Sequence, residues 1–366
     1  MLKLVDLSYF ADKELNSVLD IYPEVTGYAF ELKDKYNCHI IRHLKKEEEI
    51  NIKGVIYKSF TSKNNFFYIP FKTHRYLKKL KPDIVIIQGF AFPLQTIFLR
   101  AAIGKKAIIM LQYRQGGMFR LPKKSIQQLA DKYINAYLFT AKQLAESWLQ
   151  EKIIAGEHKC YELQGASVNM TRQEKELCRQ KLSISGSHIF LWVGRLNENK
   201  DPICVIKAFQ KYIKHNCEAR LYMIYQENKL EAEINGILSK NKELKNAVKM
   251  VGKVGHSDLI YWYSAADFYI SASHNESTGF ALLESLACGC IPVVTHIAAY
   301  QKMLEDGKTG YFFEPGNAEN LLDVLLSLQN INKQHNSIAI ENHFKKNLSF
   351  SSIANKLDEI VSSLIQ

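Results

Sequence analysis

Two glutamates and two cations carry the chemistry legible in this sequence. Glu276 and Glu284 stand seven residues apart in Ser271-Ala-Ser-His-Asn-Glu-Ser-Thr-Gly-Phe-Ala-Leu-Leu-Glu-Ser-Leu-Ala-Cys-Gly289. Glu276 follows an apolar run in a stretch of small polar residues, whereas Glu284 sits inside the apolar segment 280–287. A carboxylate in apolar surroundings is costly without a partner. Adjacent hydroxyls of a sugar or a ribose are such partners, since a carboxylate accepts from both. The cations are Arg195 and Lys200 in Leu191-Trp-Val-Gly-Arg-Leu-Asn-Glu-Asn-Lys200. Gly194 ends an apolar run, and a helix begins near Pro202, so both cations fall at a helix N-terminus. Free N–H groups and partial positive charge there suit phosphate, and Arg195 can grip two oxygens at once. Ser277, Thr278, Gly279 and Phe280 offer a second helix start with backbone N–H groups. Gly279 removes a side chain where a ligand must come close. The plainer readings are a strand–helix loop with solvated charges and an N-capped helix with one surface glutamate.

Alternating strands and helices position these residues. The pattern predicts strands at 2–7, 38–43, 83–88 and 107–112, with helices at 25–35, 73–80, 124–135 and 141–151. The helix at 73–80 stops before Pro82, because the residue preceding a proline avoids helical angles. The series then restarts. Strands are predicted at 188–194, 220–225, 248–251, 268–271 and 291–295, with helices between and a last helix over 352–364. Continuous apolar strands such as 83–88 are buried on both faces. Two such series imply an α/β protein of two Rossmann-like domains with parallel sheets. The domains are placed at 1–165, 166–350 and a C-terminal helix, 351–366, packing back on the first. The boundary falls in the polar stretch 164–187.

The chain has 366 residues, 47% hydrophobic and 23% charged, which excludes disorder and coiled coil. No apolar run is long and uninterrupted enough to span a bilayer; the uncharged 84–99 is broken by Gln88, Pro93 and Gln95. Asp6 stands where a signal peptide needs an apolar core. Seven scattered cysteines show no metal-ligand spacing. A reducing cytoplasm is the expectation. The net charge of +11 is uneven: residues 1–165 hold 26 Lys+Arg against 16 Asp+Glu, and residues 166–366 hold 22 against 21. The basic half should face an anionic partner. Within it, Tyr113-Arg-Gln-Gly-Gly-Met-Phe-Arg-Leu-Pro-Lys-Lys124 joins four cations to Met118, Phe119 and Leu121. Three readings stand for it: contact with an anionic membrane surface, closure on an acceptor phosphate, or packing onto the core. Lys72, Arg75, Lys78, Lys79 and Lys81 could extend the patch. Nucleic acid is not expected, since no binding module is visible and the second half is neutral.

In order and spacing, several motifs resemble the family 4 retaining glycosyltransferases of GT-B fold. They are Gly194-Arg195 with Lys200, Val251-Gly-Lys-Val-Gly255, Tyr263-Ser-Ala-Ala-Asp267, Glu276-x7-Glu284, Ala287-Cys-Gly-Cys-Ile-Pro-Val-Val294, Asp306-Gly-Lys-Thr-Gly310 and Pro315-Gly-Asn317. The resemblance covers 188–330. It implies two Rossmann-like domains facing across a cleft, and transfer of a sugar from a nucleoside-diphosphate donor with retention and without metal. It also implies roles. Arg195 and Lys200 would neutralise the departing diphosphate. Glu276 would hold donor-sugar hydroxyls, Glu284 the ribose, and the backbone from Ser277 to Phe280 the phosphate and sugar. Gly194 would lie beside the donor, and Lys253 and Val254 beside the base. The acceptor, anionic, lipid-linked or a glycan, would meet Gln88, Gln112 and Arg114 on the first domain. Gln88 and Gln112 stand where many members carry histidines, and glutamine cannot carry a proton. A GT-B epimerase, a phosphorylase and a catalytically degenerate scaffold are the alternatives.

Overall fold

Apolar runs that end in glycine or glutamine become the central strands. The structure, a computed structural model, describes the chain apart from residues 13, 22–24, 64, 115–117, 277 and 366. It forms two compact units, Met1–Ser167 with Phe350–Gln366, and Val168–Ser349. The first unit holds β1 (Leu2–Ala11), β2 (Tyr36–His43), β3 (Glu48–Ile52), β4 (Val55–Phe60), β5 (Ile84–Gln88), β6 (Ile108–Gln112), β7 (Ala136–Phe139) and β8 (Cys160–Glu162). They run in the order β3-β4-β2-β1-β5-β6-β7-β8, parallel except for the antiparallel β3–β4 pair. The second unit holds β9 (Ile189–Gly194), β10 (Arg220–Tyr225), β11 (Val248–Gly252), β12 (Phe268–Ser271), β13 (Ile291–Thr295) and β14 (Tyr311–Phe313). Its order is β11-β10-β9-β12-β13-β14, all parallel.

Both sheets reverse their winding once, between β1 and β5 and between β9 and β12. Open parallel sheets bind ligands outside the carboxyl ends of their strands at such a reversal. Residues on both faces of each sheet are buried. In the second unit Phe190 on β9 stacks on Phe268 of β12, with ring centroids 4.7 Å apart. The last helix, Phe350–Ile365, buries Ile353, Leu357 and Ile360 in the core of the first unit. Lys35 reaches Asp358 on it at 2.9 Å.

Several local readings change, and β7, β8 and β14 add to the predicted strands. The helix predicted over 25–35 contains only Tyr28–Leu32. The helix predicted over 141–151 is a 3-10 turn, Lys142–Ala145, followed by a short α-helix, Glu146–Gln150. The β3–β4 hairpin is absent from the predicted elements; its turn is Lys53-Gly54, both with positive φ. No described helix is long and apolar enough to cross a membrane.

Candidate active site

The second unit's reversal point gathers one predicted anion–cation pair. β9 ends at Gly194, and the following loop leads into the helix Pro202–Tyr212. Lys200 on that loop forms an ion pair with Glu276, which follows β12. Ser273 Oγ donates to the same Glu276 oxygen at 3.0 Å. The two loops are tied together along their length. His274 N donates to the Asn199 carbonyl at 2.8 Å, and Asn199 Nδ2 to the Asn275 carbonyl at 3.1 Å. Asp201 caps the helix, accepting from Cys204 N at 3.1 Å, while its other oxygen meets His274 Nε2 at 3.1 Å. It does so in a left-handed conformation (φ 39°), a strained geometry of the kind that clusters at functional sites. A Cβ on Gly194 would lie 3.0 Å from Trp192, a tight approach, and 3.6 Å from Lys200 Cγ, an ordinary contact, so the glycine makes room for the indole that packs beside the lysine stem.

Beneath Glu276 lies a buried polar chain that sequence alone did not reveal. Tyr300 Oη is hydrogen-bonded to Ser271 Oγ at 3.0 Å, and Ser271 Oγ to Ser273 Oγ at 3.2 Å. Burial, with the charge of Glu276 nearby, pushes the Tyr300 phenol well above its ordinary range. The Tyr300 ring also explains Gly279. This residue has φ +63°, and a Cβ on it would stand 2.8 Å from Tyr300 Cε1. Gly279 therefore starts the helix Phe280–Ala287 in a conformation and a space that exclude a side chain.

Glu284, 6% exposed, has partners in two residues the sequence did not single out. Tyr263 Oη donates to its Oε2 at 2.8 Å, and His256 Nε2 meets its Oε1 at 3.0 Å. Tyr263 is completely buried, and burial together with the Glu284 charge raises its phenol well above the usual value. His256 opens the helix His256–Ala265 just after Lys253 and Val254, of which Lys253 is exposed and Val254 packs partly on the core. Thr278 is half-buried and Phe280 is 41% exposed. Ser277 lies outside the described residues.

The exposed guanidinium of Arg195 faces Glu227 at 3.5 Å. In the first unit, Gln88 Oε1 accepts from Arg114 Nε at 3.0 Å and Nη2 at 2.8 Å. Gln112 is 3% exposed and donates to the Leu138 carbonyl at 3.2 Å, so its amide ties β6 to β7. Of the segment 113–124, residues 115–117 lie outside the described set. Met118 and Leu121 are exposed, and Phe119 packs edge-on to Phe66 at 5.2 Å. Lys123 lies over Phe66 at 4.8 Å, and Phe67 and Phe71 add two exposed rings. The remaining matched motifs serve structure. Asp267 pairs with Lys175 at 2.9 Å and Arg179 at 3.0 Å and accepts from Ile189 N, and Gly310 abuts Pro292.

Two parallel-sheet units of this topology make the GT-B fold. A glycosyltransferase from Rickettsia africae ESF-5 shares it with a TM-score of 0.73, 19% identity, and coverage of 100% of this chain and 99% of that one. An Anabaena HepE structure solved with UDP shares it at TM-score 0.69 and 11% identity, covering 99% and 100%. Residues 174–345 match the family model for glycosyl transferases group 1. An alpha-monoglucosyldiacylglycerol synthase from Streptococcus pneumoniae is 31% identical over 204 residues, 52% of this chain and 44% of that protein. The chain spans less than half the length of the curated relatives it matches.

Proposed function

We propose that this chain is a retaining glycosyltransferase. It moves a sugar from a UDP- or GDP-sugar to an anionic, lipid-linked or glycan acceptor of surface-polysaccharide or glycolipid synthesis, without a metal. The observation that carries the reading is the Lys200–Glu276 pair at the β9/β12 reversal, with Glu284 held one turn into the following helix. The UDP bound by the Anabaena relative and the glycolipid product named for the S. pneumoniae relative favour this donor and acceptor class.

Lys200 presents its ammonium where the bond from the anomeric carbon to the diphosphate breaks, and offsets the charge that develops there. The exposed Arg195–Glu227 pair is weak enough to open, freeing the guanidinium for the same diphosphate. Glu276 accepts from donor-sugar hydroxyls and stabilises positive charge at the anomeric carbon. Glu284 accepts from the ribose hydroxyls, with His256 giving up its contact. The acceptor oxygen attacks the face the diphosphate leaves, and its proton passes to a departing phosphate oxygen. Gln88 and Gln112 then need carry no proton.

Thermal shift against UDP, GDP, ADP and CMP, with EDTA and with magnesium, tests the donor half. A ligand at about 100 times its Kd adds roughly 2.7 kcal/mol. One nucleotide should raise Tm equally in EDTA and magnesium, and Glu284→Ala should abolish the shift. No shift with any nucleotide contradicts the reading.

A further inference from the structure

The first unit carries a buried charge cluster that the donor chemistry leaves unused. It joins the middle of β1 to the carboxyl ends of β2 and β5, at that sheet's own reversal point between β1 and β5. Asp6 on β1 is fully buried. Its Oδ2 accepts from Tyr28 Oη at 2.6 Å and from Gln88 Nε2 at 2.9 Å, and its Oδ1 pairs with Arg42 Nη1 at 2.7 Å. Gln88 passes the contact on through its carbonyl oxygen, which accepts from Arg114 Nε and Nη2. One guanidinium thus meets the carboxylate directly and the other through a neutral amide, leaving one positive charge in excess. Burial lowers the Arg114 pKa from its ordinary value, opposed by Asp6 and reinforced by Arg42.

Donors are also in excess. Arg42 uses only Nη1, on Asp6 Oδ1 and on the carbonyls of Asp6 and Ile41; Arg114 uses only Nε and Nη2. Arg42 Nε and Nη2 and Arg114 Nη1 have no partner among the described residues. Gly165 lies against this end of the cluster, where a Cβ would stand 3.0 Å from Arg114 Nη1 and 3.3 Å from Gln112 Nε2. On either side of Gly165, buried Gln164 Nε2 and Ser167 Oγ are likewise without partners among the described residues. Arg42 is buried and Arg114 half-buried, so spare guanidinium N–H groups beside an excess positive charge suit an oxyanion.

We propose that Arg42 and Arg114, oriented by Asp6 and Gln88, form an anion subsite that takes one phosphate group. Identifying that phosphate with the acceptor rests on the transfer reaction proposed above; the binding itself does not. The phosphate can come from a soluble phosphomonoester or from a lipid headgroup. Arg114 is the gripping residue and Asp6 a positioning residue that holds Arg42 and Gln88.

The test titrates the full chain, its donor site filled with UDP, with inorganic phosphate and with glycerol 3-phosphate. Flotation with phosphatidylglycerol and phosphatidylcholine vesicles runs in parallel. Arg114→Gln should weaken phosphate or glycerol 3-phosphate binding tenfold or more and leave UDP affinity unchanged. Arg114→Lys should keep part of the binding, and it stands in if the glutamine variant does not fold. Arg114-dependent binding seen only with phosphatidylglycerol vesicles supports the subsite and assigns the lipid source. Binding unchanged in Arg114→Gln, or no binding of any probe to the wild type, overturns it. If UDP itself does not bind, the donor reading fails while the phosphate titration is still read without it.

Discussion

Gly279→Ala places a methyl group where the backbone and a buried ring both oppose it. The residue has φ +63°, and the added Cβ would stand 2.8 Å from Tyr300 Cε1. A left-handed alanine costs roughly 1–2 kcal/mol. Overpacking against a ring that is 1% exposed and anchored through its hydroxyl to Ser271 adds about 1–3 kcal/mol. A total of about 3 kcal/mol lowers Tm by roughly 6–12 °C in a unit of this size. Calorimetry on Gly279→Ala, Tyr300→Leu and the double variant separates the two parts. Removing the ring relieves the steric part alone, so the double variant should lose about 1–3 kcal/mol less than the sum of the singles. Donor binding should fall in both variants that carry Gly279→Ala, because the same turn starts the helix that carries Glu284, proposed above to hold the donor. A Gly279→Ala protein with wild-type Tm, or strict additivity in the double variant, refutes this account of the turn.

Acid should destabilise the first unit through two buried imidazoles. Burial depresses His43 to about 4, with the Ser8 carbonyl opposing and Arg42 reinforcing; burial and then His43 depress His74 to about 4. Unfolded histidine titrates near 6.5, so the unfolded chain binds more protons between about 6.5 and 4. Stability is therefore full above about pH 6.5, falls as pH drops through that window, and loses up to about 3 kcal/mol per histidine. Urea unfolding at pH 7.5 and 5 should show this fall, reduced in His74→Gln; equal stability at both pH values contradicts it. If the exposed rings and Leu121 meet an anionic membrane surface, Phe67→Glu with Leu121→Glu should cut flotation with anionic vesicles while leaving Tm unchanged; unchanged flotation contradicts that reading.

The central strands were legible because continuous apolar runs ended by Gly89, Gly194 or a glutamine have few other solutions. The β3–β4 hairpin was not, because Glu48-Glu-Ile-Asn-Ile52 has two charges and its turn lacks the usual Asn-Gly signal. Glu276 and Lys200 could be read from residue type and spacing, because each follows a strand closely in sequence. Their supports could not. Tyr263 lies 21 residues before Glu284, and Arg42 lies 36 after Asp6. Only the sheet and the helix packing bring such pairs together. Asp6 read as an argument against a signal peptide, yet it anchors a charge cluster. The exposed Arg195–Glu227 contact joins residues 32 apart, which sequence spacing does not reveal.

The most direct measurement is turnover of the Glu276→Ala and Lys200→Ala chains beside the wild type. A panel of UDP- and GDP-sugars is offered with diacylglycerol, phosphatidylglycerol and glycan acceptors, with Tm recorded for each protein. The account predicts transfer by the wild type and a loss of at least about a hundredfold in each variant at nearly unchanged Tm, as for removal of a preorganised charge-stabilising group. Wild-type turnover in Glu276→Ala contradicts it.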